Sequence, residues 1–82
     1  MASDMCHVSS IVVHARPAAL DAVAAAIAEL PGAEIHGRDA AGKLVVVLTA
    51  ASERTISDHL QTINAIAGVF TASMVYHAVD DA

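Results

Sequence analysis

Apolar and polar residues alternate with two different periods along this chain, and the switches between them mark out its elements. From His7 to His14 the run His-Val-Ser-Ser-Ile-Val-Val-His is dense in β-branched residues and stops at Arg16-Pro17, which predicts a strand followed by a break. Pro17 suits the first turn of a helix, where its missing N–H costs nothing. Ala18 to Leu30 is dominated by alanine, the best helix former, and Leu20, Val23, Ile27 and Leu30 fall on one helical stripe. Pro31-Gly32 ends that helix. Ala33 to Arg38 sets Ala, Ile and Gly against Glu, His and Arg, the period of a half-exposed edge strand. Asp39-Ala40-Ala41-Gly42 carries turn chemistry and leads into Lys43 to Ala50, whose Leu-Val-Val-Val-Leu run predicts a buried strand and hence a hairpin. Ser52 is placed to cap a second helix with the stripe Ile56, Leu60, Ile63 and Ala67, which Gly68 can end in the left-handed conformation. Val69 to His77 then alternates through Phe70, Ala72, Met74 and Tyr76 as a last strand.

The order β-α-β-β-α-β with short connections predicts an α+β fold. Two right-handed crossovers interleave into a four-stranded antiparallel sheet with both helices on one face, the ferredoxin-like sandwich. The chain is expected to form a single domain over residues 1–82, with an ordered core of about 6–78 and Met1 to Asp4 as an extension ahead of it.

Strand parity then assigns faces. The sets expected to meet the helices are Ser9, Ile11 and Val13; Ala33, Ile35 and Gly37; Leu44, Val46 and Leu48; and Phe70, Ala72, Met74 and Tyr76. The opposite sets are Val8, Ser10, Val12 and His14; Glu34, His36 and Arg38; Val45, Val47 and Thr49; and Thr71, Ser73, Val75 and His77. Nothing in the sequence covers this second face, whose middle strands would present valines among small hydroxyls. Contiguous apolar patches of several hundred Å² generally mark an interaction site. Strand propensity alone, or two sheets packed back to back in a homodimer, would also account for the valines.

Composition narrows the function classes. With 82 residues the chain buries only about 60 to 65% of its unfolded surface, enough for one two-layer core and too little for a deep enclosed active site. Alanine and valine supply most of its 56% hydrophobic content, while Phe and Tyr occur once each and Trp is absent, so the core is aliphatic. A formal charge of −5 and scattered Arg16, Arg38, Lys43 and Arg54 argue against nucleic acid. No apolar run approaches the roughly 18 residues that span a bilayer, and residues 1–10 lack the pattern of a secretory signal, so a cytoplasmic location is expected. A single cysteine, Cys6, fits a reducing compartment.

Catalytic chemistry finds no support. His7, His14, His36, His59 and His77 lie on different elements without paired ligand spacing, so no metal site is expected, and the four glycines form no phosphate loop. Cys6 is expected in a frayed terminus without a base beside it, and Asp80 and Asp81 read as a solvated acidic tail.

Ser9-Ser10-Ile11-Val12-Val13, Leu30-Pro31-Gly32-Ala33-Glu34-Ile35, Gly42-Lys43-Leu44-Val45-Val46-Val47, Ile66-Ala67-Gly68-Val69 and Ser73-Met74-Val75-Tyr76-His77 occur in order. Together they resemble the NapD family, over roughly residues 6 to 78. The Pro-Gly-x-Glu hairpin entry and the closing Val-Tyr-His are the more specific pieces. The resemblance implies a non-enzymatic cytoplasmic assembly chaperone of periplasmic nitrate reductase, needing no cofactor of its own. Such a chaperone binds the twin-arginine signal peptide of the catalytic subunit NapA and delays export until the molybdenum cofactor is inserted. The peptide is thought to lie as a helix on the sheet face, which agrees with the uncovered valine-rich face. On this reading the contact set is Val8, Ser10, Val12, His14, Glu34, His36, Val45, Val47, Thr49, Thr71, Ser73, Val75 and His77. Glu34 is the first candidate to meet the peptide's arginines, with Asp80 and Asp81 behind it. The protein would act as a monomer or weak dimer. Two other classes stay open on the residues alone: a small-molecule-sensing or dimerisation module of the same fold, and a metal carrier using Cys6.

Overall fold

The computed structural model describes residues 5–81, and the side chains of 6–79. The strands are β1 (Met5–Ala15), β2 (Ala33–Asp39), β3 (Lys43–Ala50) and β4 (Val69–Asp81), and the helices are α1 (Leu20–Ala28) and α2 (Glu53–Asn64). They form one sheet in the order β2-β3-β1-β4, every neighbouring pair antiparallel, which is the ferredoxin-like arrangement with β1 and β3 at its centre.

The core lies between the helices and one face of the sheet. Ile11 and Val13 of β1, Leu44, Val46 and Leu48 of β3, Val23 and Ile27 of α1 and Ile56 and Ile63 of α2 are all fully buried. Strict alternation in the two central strands produces this: β1 and β3 pair residue for residue from His7 opposite Ala50 to His14 opposite Lys43, so odd positions of β1 and even positions of β3 share the helix side. Ser9 is the one polar residue drawn fully inside among those described.

Glycines close the loops where no other residue fits. Gly68 has φ of +96° and an added Cβ would lie 2.7 Å from the Ala19 Cβ, while its carbonyl accepts the Arg16 N–H at 2.8 Å. Gly42, at φ of +112°, similarly leaves no room beside the Ala15 carbonyl. Its N–H donates to the Asp39 carbonyl, and the Asp39 side chain accepts from the Ala41 N–H, each at 2.9 Å, which makes the β2–β3 turn that the Asp-Ala-Ala-Gly chemistry predicts.

The helices differ from expectation at their ends. Pro17–Ala19 forms a turn of 3-10 helix and α1 begins only at Leu20, with no side chain capping either start. Ser52 does cap α2, its hydroxyl accepting the Thr55 N–H at 3.2 Å. α2 stops at Asn64, so Ala67 lies outside it and is exposed, and Ile66 packs against the core instead.

The largest departures come from irregular pairing at the sheet's edges. β4 shifts register between the partners of Ser10 and Ile11, leaving Val75 as an extra residue. Tyr76 therefore sits opposite Ser10, on the uncovered side, and His77 sits opposite Ser9, on the helix side, reversing both assignments made from alternation. In β2 the shift falls between Ile35 and Gly37, which moves Gly37 opposite Val45 on the uncovered side and Arg38 opposite Leu44 on the helix side. Arg38 accordingly forms an ion pair with Asp21 of α1. A second shift in β4 puts Val69, not Phe70, against Ala15 and the core, and Phe70 is 67% exposed. The expected frayed terminus is also corrected: β1 and β4 run on past the core, with Cys6 half-buried in a strand opposite Asp80. The roles read for the Asp80 and Asp81 side chains, and the extension Met1 to Asp4, lie outside the described residues.

Candidate functional site

The uncovered face is built from four cross-strand rows. Thr49, Val8 and Ala78 form the first; Glu34, Val47, Ser10 and Tyr76 the second; Gly37, Val45, Val12 and Ser73 the third; and Asp39, Lys43, His14 and Thr71 the last. The last row is polar, and the rows above it carry the valines. Val8, Val12, Val45 and Val47 are half-buried by one another and by their neighbours in the sheet, in contrast to the fully buried residues on the other side of the same strands. Among the described residues no element packs over them. Strand sterics explain why the sequence can hold this surface: β-branched residues suit a pleated sheet on either face.

Two side chains give the face its edges. Glu34 is exposed beside Val47, and its carboxylate meets the His36 imidazole at 3.0 Å, both exposed on the β2 edge. On the opposite edge Tyr76, 60% exposed, stands opposite Ser10 because of the β4 bulge at Val75. A phenolic ring is amphipathic, with an apolar body and a polar tip, and so suits a surface that is wet when free and dry when occupied. The register thus places ten of the thirteen residues expected on this face in these rows and brings in Tyr76 and Gly37; His36 and Val75 are the unpaired residues at the register shifts, and His77 is on the other side.

Alternation missed Tyr76 because a bulge leaves no mark in the hydropathy pattern. The same bulge brings together two histidines that had seemed unrelated: the rings of His7 and His77 lie 5.4 Å apart at 68°, with His7 Nδ1 3.2 Å from His77 Nε2. Elsewhere, among the described residues, the surface offers a shallow depression of about 300 Å³ lined by Arg16, Ala18, Ala19, Ala67 and Gly68, poor in the convergent polar groups of a small-molecule site. Among the described residues no helix is long and apolar enough to cross a membrane.

Comparison with known proteins identifies the family. Residues 6–81 match the family model described as NapD protein. The chain belongs to the NapD family. It is 38% identical over 73 residues to Chaperone NapD of Paracoccus pantotrophus, covering 89% of this chain and 64% of that protein. The chain therefore spans somewhat less than two thirds of that relative's length. It is 29% identical over 75 residues to Chaperone NapD of Escherichia coli K12, covering 90% of this chain and 86% of the relative. The solution structure of the E. coli Tat proofreading chaperone protein NapD superposes with a TM-score of 0.84 at 29% identity, over 95% of this chain and 82% of the other. The NapD relatives are named as chaperones.

Proposed function

We propose that this NapD-family chain is a cytoplasmic, non-enzymatic chaperone that holds the twin-arginine signal peptide of the NapA precursor on its uncovered sheet face, delaying export until the molybdenum cofactor is in place. The observation that carries the reading is the set of valines across β3 and β1 that no element covers among the described residues, flanked by Glu34 on one edge and Tyr76 on the other. A signal peptide combines a basic pair with an apolar stretch, and the face combines an acid with an apolar centre.

The apolar stretch would supply most of the affinity. Surface leaving water contributes roughly 25 cal/mol per Å², less the cost of ordering a flexible segment. Glu34 is exposed and already meets His36, so its pairing with a peptide arginine would set orientation more than strength; exposed pairs contribute about 0 to 1 kcal/mol. Holding the peptide as a helix would satisfy its backbone within itself, leaving side chains to meet the valines.

Calorimetric titration of a NapA twin-arginine peptide into the wild type and Val47→Glu tests the surface. Val47 faces outward from a central strand, so the variant is expected to fold as before. A carboxylate beneath the peptide's apolar side is expected to weaken binding at least about tenfold, the cost of covering a charge that cannot reach a partner. Equal affinity for both proteins would remove the proposed face.

A further inference from the structure

On the helix side of the sheet, away from the valine face, three metal-ligating side chains converge from three elements. His7 lies near the start of β1, His77 follows the β4 bulge, and Glu53 is the first residue of α2. One ligand atom from each falls within 4.8 Å of the other two. The register explains the meeting. His7 pairs with Ala50, the last residue of β3, so the short connection from β3 delivers Glu53 close to it. The bulge at Val75 turns His77 to the same side.

We propose that His7, His77 and Glu53 form a binding site for a divalent transition-metal ion, with zinc as the reference case. The geometry favours it: His7 Nδ1 and His77 Nε2 are 3.2 Å apart. Two nitrogens bound at about 2.0 to 2.1 Å in tetrahedral geometry are separated by about 3.3 Å. An ion can thus replace the shared hydrogen between the rings with almost no movement of either strand. Both histidines are half-buried and need only tilt to aim their nitrogens at an ion beside the N···N line, whereas Glu53 is exposed and free to rotate onto the ion, with water completing the shell. Two imidazoles and a carboxylate suit borderline ions such as zinc, not the all-oxygen shells of calcium or magnesium. The N-terminus of α2 opposes a cation weakly, and the Glu53 carboxylate offsets it. A bound ion would tie the long β1–β4 arm to α2. It would leave the valine face open, so this inference stands independently of the peptide reading.

Zinc chloride titrated calorimetrically into the full-length chain is expected to show saturable one-to-one binding and to raise the thermal midpoint. His7→Gln, His77→Gln and Glu53→Gln should each weaken binding at least about tenfold, with circular dichroism confirming that each folds. Glu53→Gln, at an exposed position, keeps the test meaningful if a histidine variant unfolds. Cys6→Ser should bind as the wild type does. Imidazole nitrogen spectra of the wild type should place the ion on His7 Nδ1 and His77 Nε2. Absence of saturable binding below millimolar zinc, undiminished affinity in the Glu53 and histidine variants, or loss of binding only in Cys6→Ser would each overturn the site.

Discussion

Ser9 and Asn64 are polar residues whose surroundings give them opposite effects on stability. Ser9 is fully buried between the helices and the sheet, and among the described residues its hydroxyl has no hydrogen-bond partner. An orphaned buried hydroxyl forfeits its hydration without return, so Ser9→Ala is expected to raise the unfolding free energy by about 1 kcal/mol. Asn64, the last residue of α2, works as a clamp. Its amide nitrogen donates to the Leu60 and Ala72 carbonyls at 3.1 Å each, and its oxygen accepts the Ala72 N–H at 3.0 Å. β4 is an edge strand, so these Ala72 groups face away from β1 and would otherwise invite another strand. Asn64→Ala is expected to cost about 1 to 2 kcal/mol, because two part-buried backbone groups lose their partners. Urea denaturation of the two variants beside the wild type checks both signs, and a stability loss in Ser9→Ala would show that the hydroxyl is satisfied in solution.

The elements themselves were legible to the extent that their periods are regular. β3 has the bounds the Leu-Val-Val-Val-Leu run predicts, and Ser52 caps α2 as its position suggests. The parity of β1 and β3 is readable because these strands pair without interruption, and that is why the valine face is visible in the sequence alone. β2 and β4 were harder, since β2 carries one extra residue and β4 two, and each shifts the side chains beyond it to the other face. The stretches around Gly37 and Val75-Tyr76-His77 read equally well in either phase, so hydropathy could not locate the shift. Arg38 on the helix side, and His77 beside His7, are the direct consequences. If Val75 is the extra residue, its deletion should regularise β4 without moving the residues beyond it: Tyr76 stays opposite Ser10 and His77 stays beside His7. Nuclear Overhauser contacts between the two imidazole rings are therefore expected to persist in the deletion variant. Contacts absent from the wild type and gained only in the deletion variant would mean that simple alternation, not the bulge, governs this end of β4.

At the scale of the whole molecule, charge and apolar surface have separable tasks. The chain carries a formal charge of −5, and Arg38, one of its four Lys and Arg residues, is paired with Asp21. On the proposed function, a basic signal peptide would thus be drawn toward an acidic body over distances comparable with the Debye length, about 10 Å at 0.1 M salt. On the proposed reading it would then be held by the valine rows, where water would be excluded and added salt would have little to screen. Stopped-flow mixing of peptide and protein at low and high sodium chloride separates the two contributions. Raising the salt from about 50 mM to about 500 mM is expected to slow association by about three- to tenfold, while dissociation changes by less than about twofold. If dissociation instead accelerated as strongly as association slowed, ion pairs such as one through Glu34 would be holding the peptide in place. The valine face would then be a platform for charges rather than the source of affinity.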